Sequence, residues 1–541
     1  MNNIQLLDCT LRDGSYIVDS LWGNKTLKGI IDKLCKSKID IIEVGFLKDV
    51  DYYEGSSTFN NLQQIKKYLP KQKEQTSFAV MIDYGRYTIE KLPPYNGQTI
   101  DIIRNCFFKK DRFEAVKFSK FIKKQGYKLY VQPVDILGYT DYELLDLIKI
   151  TNELNPEAFS IVDTFGSMYE DDLVRIFSIL HHNLSKNIKI GFHSHNNLQL
   201  SFALSQKIIE LSSLGRHIVV DTTLCGMGRG AGNTNTELVV NYLNKKYNYG
   251  YDINEIMDLI DIYISPLAKE YVWGYSIPYF IAGMYSTHVH NIRYLLDKHK
   301  VCSKDMQLII SSLDNNIKKR YDYNNLEDTY ISYFKNEIDD KKTIQKLKEI
   351  FNNKNILILI PGQSLKKNLQ KIINFKNQKE NIITISVNFV SSEIKSDILF
   401  FSNSMRFEYA KEKYYEIVKE TKKIITSNIK NISRDFIVNY NNLINRKYKH
   451  FDNATILLLN LLNKIGCKNI FLAGFDGYST DSVNSYIDKS LQTFMTNEEK
   501  LELNKEISNM LDEITTAERS SLNIKFLTKS IFNNYNSLND V

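Results

Sequence analysis

Ile4-Gln-Leu-Leu-Asp-Cys-Thr-Leu-Arg-Asp-Gly14 is a short β-type run that breaks into a polar turn. Lys25 to Lys36 follows it, with Leu27, Ile30, Ile31 and Leu34 on one helical face at i, i+3, i+4, i+7 spacing. A second β-type run begins near Ile39, and others begin near Ser77, Ile100, Lys128, Ala158, Ile188 and His217. Eight strand-then-helix units in about 240 residues predict an α/β chain whose first part is a TIM (β/α)8 barrel, with its active site at the strand C-termini. Pattern alone leaves a doubly wound sheet as the alternative, because that fold alternates in the same way.

From about Asn254 to Phe351 the strand signal gives way to helical patterning rich in Tyr, Asp and Lys, and a new strand opens at Ile356-Leu-Ile-Leu-Ile360. Later runs at 382–387, 397–401, 423–426, 469–473 and 523–527 alternate with helices, a Rossmann-like α/β layout. Three regions are therefore expected. Residues 1–245 form the barrel, 246–351 a helical extension covering its mouth, and 352–541 a Rossmann-like nucleotide-binding domain.

At 541 residues the chain is too long for one core, and 43% hydrophobic with 25% charged residues excludes a largely disordered protein. A surplus of +7 over this length is weak grounds for nucleic-acid or membrane binding, so neither partner is expected. No stretch reaches the roughly 18 apolar residues of a membrane span. The N-terminal residues lack a signal-peptide layout, and the cytoplasm is the expected location. Six cysteines without a CxxC pair suggest neither a disulfide framework nor a structural zinc site. Self-association is left open.

Polar clusters fall at the predicted strand ends: Arg12-Asp13 after the first, Glu43 on the second, His193-Ser-His195 on the seventh. Residues two apart on a strand face the same side, so both histidines can face one ion, with Asp13 as a third ligand. Two imidazoles and a carboxylate suit an open catalytic divalent site. Taken by itself, HxH could equally be a solvent-facing strand end. After the eighth run, Gly226-Met-Gly-Arg-Gly-Ala-Gly-Asn233 is either a loop that lets a ligand approach the backbone or a merely tight connection, and Asn233 adds an oxygen donor at the mouth.

Cys9-Thr-Leu-Arg-Asp-Gly14, Glu43-Val-Gly45, Gly191-Phe-His-Ser-His-Asn196 and Gly226 to Asn233 together resemble the signature set of the DRE-TIM metallolyases. That superfamily includes 4-hydroxy-2-oxovalerate aldolase, hydroxymethylglutaryl-CoA lyase and isopropylmalate synthase, and the run over residues 1–245 is most similar to the aldolase branch. The resemblance implies that Asp13, His193 and His195 bind a divalent metal with Asn233 near or on it. Manganese is expected, with magnesium, cobalt or zinc as alternatives. It also implies that Arg12 holds the oxygen that becomes the enolate of a 2-oxo acid, that Glu43 orients Arg12 or a metal-bound water, and that Arg104, Asp163 and Thr164 line the mouth. The aldolase branch carries a histidine base where this chain has Tyr16, so His288 and His290 are candidates for proton transfer if the extension covers the mouth. An acyl-CoA-dependent Claisen-type synthase is the nearest rival reading.

Pro361-Gly-Gln-Ser364, Ser386-Val-Asn388, Phe401-Ser-Asn403 and Leu472 to Tyr478 are loosely similar, in order, to bacterial sialyltransferases that use CMP-activated donors. That resemblance implies that Gly362, Ser364, Asn388 and Asn403 touch a CMP-type nucleotide or nucleotide sugar and that Tyr478 touches its phosphate, with a role in surface-polysaccharide metabolism. The last histidine is His450, ahead of the region where those transferases place their base, which argues against glycosyl transfer. A transferase with the barrel as its scaffold remains a rival.

Overall fold

The first eight runs are strands β1 (Ile4–Asp8), β2 (Ile41–Leu47), β3 (Ser77–Asp83), β4 (Ile102–Phe107), β5 (Lys128–Pro133), β6 (Ala158–Asp163), β7 (Lys189–Ser194) and β8 (Ile218–Thr222). This computed structural model describes residues 3–71, 75–299, 301–335, 337–429, 435–480, 485–487, 496–516 and 522–532. The chain divides into two units, residues 1–323 and 324–541. In the first, β1 pairs in parallel with β8 (Ile4↔Ile218 to Asp8↔Thr222) and also with β2 (Leu7↔Ile41), which closes the sheet into a TIM barrel. A two-residue strand, Thr58–Phe59, lies alongside β2 outside the ring.

Full helices follow β1 and β4 to β8, at Asn24–Lys36, Arg112–Lys124, Asp141–Leu154, Glu170–Asn183, Ser201–Leu211 and Thr236–Tyr247. The expectation of eight full helices fails after β2 and β3, where only Gln63–Lys66 and a turn at Ile89–Lys91 form. Pro93-Pro94, Gly85 and Gly97 explain the second case, since they break helical hydrogen bonding and raise its entropy cost. Leu27, Ile30, Ile31 and Leu34 are all buried, as their spacing predicts.

The inside of the barrel is layered. Leu7, Ile41, Ala79, Ile102, Tyr130, Ala158 and Val219, one from each of β1 to β6 and β8, form an apolar cluster with Cys9. Two residues further along, on the same face by strand parity, stand Glu43, Arg104, Gln132, Ser160 and Asp221. β7 supplies Gly191 at this depth because a Cβ there would lie 2.2 Å from Ser160 Oγ, and it supplies His193 next. The polar layer is therefore built from the same period-2 register as the apolar one beneath it.

Beyond Tyr247 the described residues of the first unit form helices and turns only. Helix Val289–His299 is anchored at its start, where His288 N and Thr287 Oγ1 both donate to Lys318 O at 2.8 Å and Asn291 Nδ2 donates to Arg320 O at 2.8 Å.

In the second unit, β9 (Asn355–Leu359), β10 (Ile382–Val387), β11 (Ile398–Phe401), β12 (Lys422–Thr426), β13 (Phe436–Val438), β14 (Asn469–Ala473) and β15 (Asn523–Phe526) form one parallel sheet. Its order, β13-β12-β11-β10-β9-β14-β15, reverses direction between β9 and β14, the switch point at which such sheets present their loops to ligands. No helix among the described residues is long and apolar enough to cross a membrane.

Candidate active site

The polar layer under the mouth of the barrel is a closed ring of ionic contacts. Arg12 Nε donates to Glu43 Oε2 at 2.7 Å, and Glu43 Oε2 accepts from Arg104 NH1 at 2.9 Å. Arg104 NH2 pairs with Asp221, whose Oδ2 lies 3.0 Å from His193 Nδ1. His193 Nε2 is 3.4 Å from Asp13 Oδ2, which in turn is 3.3 Å from Arg12 NH1. All six side chains are buried. Charges this deep are tolerated only when paired, and three carboxylates against two guanidiniums leave one negative charge for a further cation to balance.

Asp13 is where that cation fits. Both of its carboxylate oxygens are buried without a hydrogen-bond partner, and so is Asn233 Oδ1. Nitrogens of His193 and His195 converge on Asp13 Oδ2, the latter at 3.9 Å, and ligand atoms of the three residues lie within 4.8 Å of one another. A buried carboxylate with no donor is costly, whereas two imidazoles and a carboxylate are an appropriate set for a divalent ion. The donor set thus fits a divalent metal. Burial pushes the Asp13 carboxyl up, but Arg12 and the two imidazoles together hold it well below the usual range, so it is ionised. Burial pushes His195 down to about 3, which leaves it in the neutral form that ligates metals. His193 is also pushed down by burial, but Asp13 and Asp221 outweigh that, so its imidazole holds a cation more tightly than a free histidine would.

Cys9, His193 and Asp221 form a second convergent group. Burial holds the Cys9 thiol well above its ordinary range and Asp221 is engaged by Arg104, so this set is poorly suited to a metal.

Asn233 is placed by the loop after β8 folding tightly on itself. A Cβ at Gly228 would lie 2.3 Å from Asn233 Nδ2, and one at Gly232 (φ +81°) would lie 1.8 Å from Gly226 O. Packing therefore accounts for the glycines that also fit a phosphate loop. Gly45 (φ +148°) is required similarly, because a Cβ would meet Ser57 O at 1.8 Å beside the register shift that follows Glu43.

Above the ring lies a cavity of about 210 Å³ whose walls include Arg12, Tyr16, Thr164, His193, His195, His288 and His290. Glu43 and Arg104 belong to the ring, whereas Asp163 accepts from Ser167 N (2.9 Å) and Ser194 Oγ (3.3 Å) and braces the loop after β6. Burial raises the Asp163 carboxyl to about 6. Tyr16 packs edge-on to Phe46 at 5.7 Å and beneath the Arg229 guanidinium at 4.1 Å, and burial pushes its phenol up to about 12. His288 and His290 meet edge to face with ring centroids 4.7 Å apart, both against Tyr321. His288 Nδ1 accepts from His290 N at 3.2 Å, so in the neutral ring Nε2 carries the proton. Burial and Arg229 push His288 down to about 2. Asp221 of the ring and Arg229 of the cavity are among the residues that escaped the sequence reading.

In the second unit, Ser364 N and Oγ both donate to the Asp476 carboxylate, the first at 2.7 Å. Asn388 Oδ1 accepts from Ser402 N at 2.9 Å, Asn403 caps helix Ser404–Lys413 through Arg406 N at 3.0 Å, and Tyr478 Oη meets Tyr486 Oη at 2.9 Å. Gly362 packs against Gly474 O, where a Cβ would lie 2.3 Å away.

Residues 3–262 match the HMGL-like family model. Curated relatives named 4-hydroxy-2-oxovalerate aldolase include one from Geobacillus genomosp. 3, 24% identical over 309 residues, covering 56% of this chain and 90% of the relative. Another, from Thermomicrobium roseum, is 25% identical over 304 residues, covering 54% and 82%. A solved structure described as the N-terminal domain of a putative aldolase from Bacteroides vulgatus aligns with a TM-score of 0.47 at 26% identity, covering 54% of this chain and 96% of that one. The family match over residues 3–262, the aldolase relatives and the four motifs gathered at one barrel mouth support placing this part of the chain among the DRE-TIM metallolyases, and the chain is an enzyme.

Proposed function

We propose that the enzyme is a divalent-metal-dependent aldolase, with manganese as its resident ion, that cleaves a 4-hydroxy-2-oxo acid through a pyruvate-type enolate. The observation that carries this reading is the buried Asp13 carboxylate, whose two oxygens accept no hydrogen bond among the described residues although Arg12 NH1 and two imidazoles face it. Asp13, His193 and His195 would hold the ion, with Asn233 Oδ1 beside them; when bound it supplies a Lewis acid for the 2-oxo group. Arg12 is fixed through Nε by Glu43, with NH1 3.3 Å from Asp13 Oδ2, and its NH2 has no hydrogen-bond partner among the described residues. That nitrogen is the donor for charge developing on the enolate oxygen, where a preorganised guanidinium acts most strongly. Tyr16, its pKa raised by burial, keeps its proton and serves as a donor. His288 likewise donates through Nε2, which leaves His290, also held neutral by burial and Arg229, to accept the substrate hydroxyl proton.

This reading places the enzyme in the cytoplasm, where cysteines stay reduced. Nucleotide binding by the second unit is a narrower proposal carried by the order of its motifs; a phosphate at Ser364 would have to displace Asp476 from the same N–H. Metal analysis of the purified protein tests the main reading. One equivalent of divalent ion is expected in the wild type and its loss in a His193→Ala/His195→Ala variant; stoichiometric metal retained in that variant contradicts the assignment.

A further inference from the structure

Arg229 is a cavity-lining cation without a counter-anion. Among the described residues it has neither a carboxylate within ion-pair distance nor a side-chain hydrogen bond, and its recorded contact is the face of Tyr16 at 4.1 Å. Of the other charges at the cavity, Asp83 is matched by Lys48 at 3.2 Å and Arg86 at 3.6 Å, Lys319 by Asp135 at 2.7 Å, and Arg12 by Glu43 and Asp13, while Asp111, of opposite sign, has no ion pair among the described residues and none with Arg229. Arg229 also borders a smaller niche with His195, His288 and Thr164.

The backbone that presents this guanidinium is pinned on its C-terminal side. Gly232 N donates to Arg229 O at 3.0 Å and Ala231 N to Asn197 Oδ1 at 2.9 Å, while a Cβ at Gly230 (φ +66°) would lie 2.8 Å from Asn197 Oδ1. A partly desolvated guanidinium on a rigid loop is costly to leave unpaired and well prepared to bind a planar anion bidentately.

We infer that Arg229 binds a carboxylate on the half of the substrate that leaves as the aldehyde, so that the aldehyde released is itself an anion. The inference rests on the aldolase reading, which assigns the 2-oxo acid end to Arg12 and the Asp13–His193–His195 group and leaves Arg229 for the opposite end.

The test is calorimetry on the full-length, metal-loaded protein with two probes that share the 2-oxo acid end, 2-oxoglutarate with a distal carboxylate and 2-oxohexanoate with a neutral tail. Wild type should bind 2-oxoglutarate at least about tenfold more tightly, the scale of one charge-assisted hydrogen-bond pair. Arg229→Gln should erase that gap while leaving 2-oxohexanoate affinity unchanged, and Arg229→Lys should keep part of it. Equal wild-type affinities overturn the inference, as does an Arg229→Gln variant that weakens both acids alike, which would put the guanidinium on the shared end. Failure of the aldolase reading would register separately, as no hydrogen exchange at C3 of pyruvate by the wild type.

Discussion

Asp221 Oδ2 stands 3.0 Å from Nδ1 of His193, which directs the other ring nitrogen toward Asp13. A carboxylate behind a ligating imidazole fixes its orientation and raises its basicity, and such partners commonly contribute 10- to 100-fold in metal affinity. Asp221→Asn should therefore weaken divalent-ion binding by about that factor, measured by competition with a chelator dye, with the circular dichroism spectrum retained. Unchanged affinity would reduce Asp221 to a partner of Arg104 alone.

Arg104 joins the two halves of the ring, Glu43 on one side and Asp221 on the other. Replacing it with methionine fills a similar volume but removes a guanidinium shared by two buried carboxylates, leaving Glu43 to Arg12 and Asp221 to His193, and losing one partner of a buried pair costs about 3–5 kcal/mol. Urea unfolding should report a loss of that size. A loss under about 1 kcal/mol, typical of exposed pairs, would mean that water or relaxation relieves the charges.

Arg12→Lys should leave metal content intact and cut turnover by on the order of a hundredfold, chiefly in kcat. Lysine keeps the charge, but it cannot hold Glu43 and Asp13 while offering a third nitrogen to the substrate. Steady-state kinetics that show equal kcat would remove Arg12 from the enolate.

Burial raises the Asp8 carboxyl to about 6, despite the bonds it accepts from Thr236 Oγ1 at 2.7 Å and Thr10 N at 2.9 Å. Between the unfolded value of 3.8 and about 6 the folded state binds the extra proton, so Asp8 costs stability progressively as pH rises through that window. Asp8→Asn should remove this cost, and its stability relative to wild type should climb from pH 4 to pH 6 in thermal melts. A flat difference would mean that Asp8 titrates normally.

Strand parity made much of this site legible. His193 and His195 face the same side because they are two apart, and Asp13 follows the first strand into the same mouth. Asp221 was legible in principle: a carboxylate inside Ile218-Val-Val-Asp-Thr222 is expensive unless paired, and it stands two residues beyond inward-facing Val219. Arg229 was not, because its glycine neighbours drew the reading toward the loop's backbone, and the lack of an ion pair among the described residues exists only in three dimensions. In the second unit the long apolar runs identified the strands, while Phe436–Val438 passed unnoticed because three residues carry no periodicity. The capture of Ser364 by Asp476 joins residues 112 apart, beyond any local pattern.

The claim that organises these results is that the mouth of the barrel stabilises a pyruvate-type enolate in a metal-dependent way. Incubating pyruvate with the full-length protein in D2O and following deuterium at C3 by mass spectrometry measures that step without the aldehyde. Deuterium should enter with wild-type protein and a divalent ion, stop with chelator, and fail with Asp13→Asn. Exchange that persists after chelation, or none from metal-loaded wild type, would contradict the account.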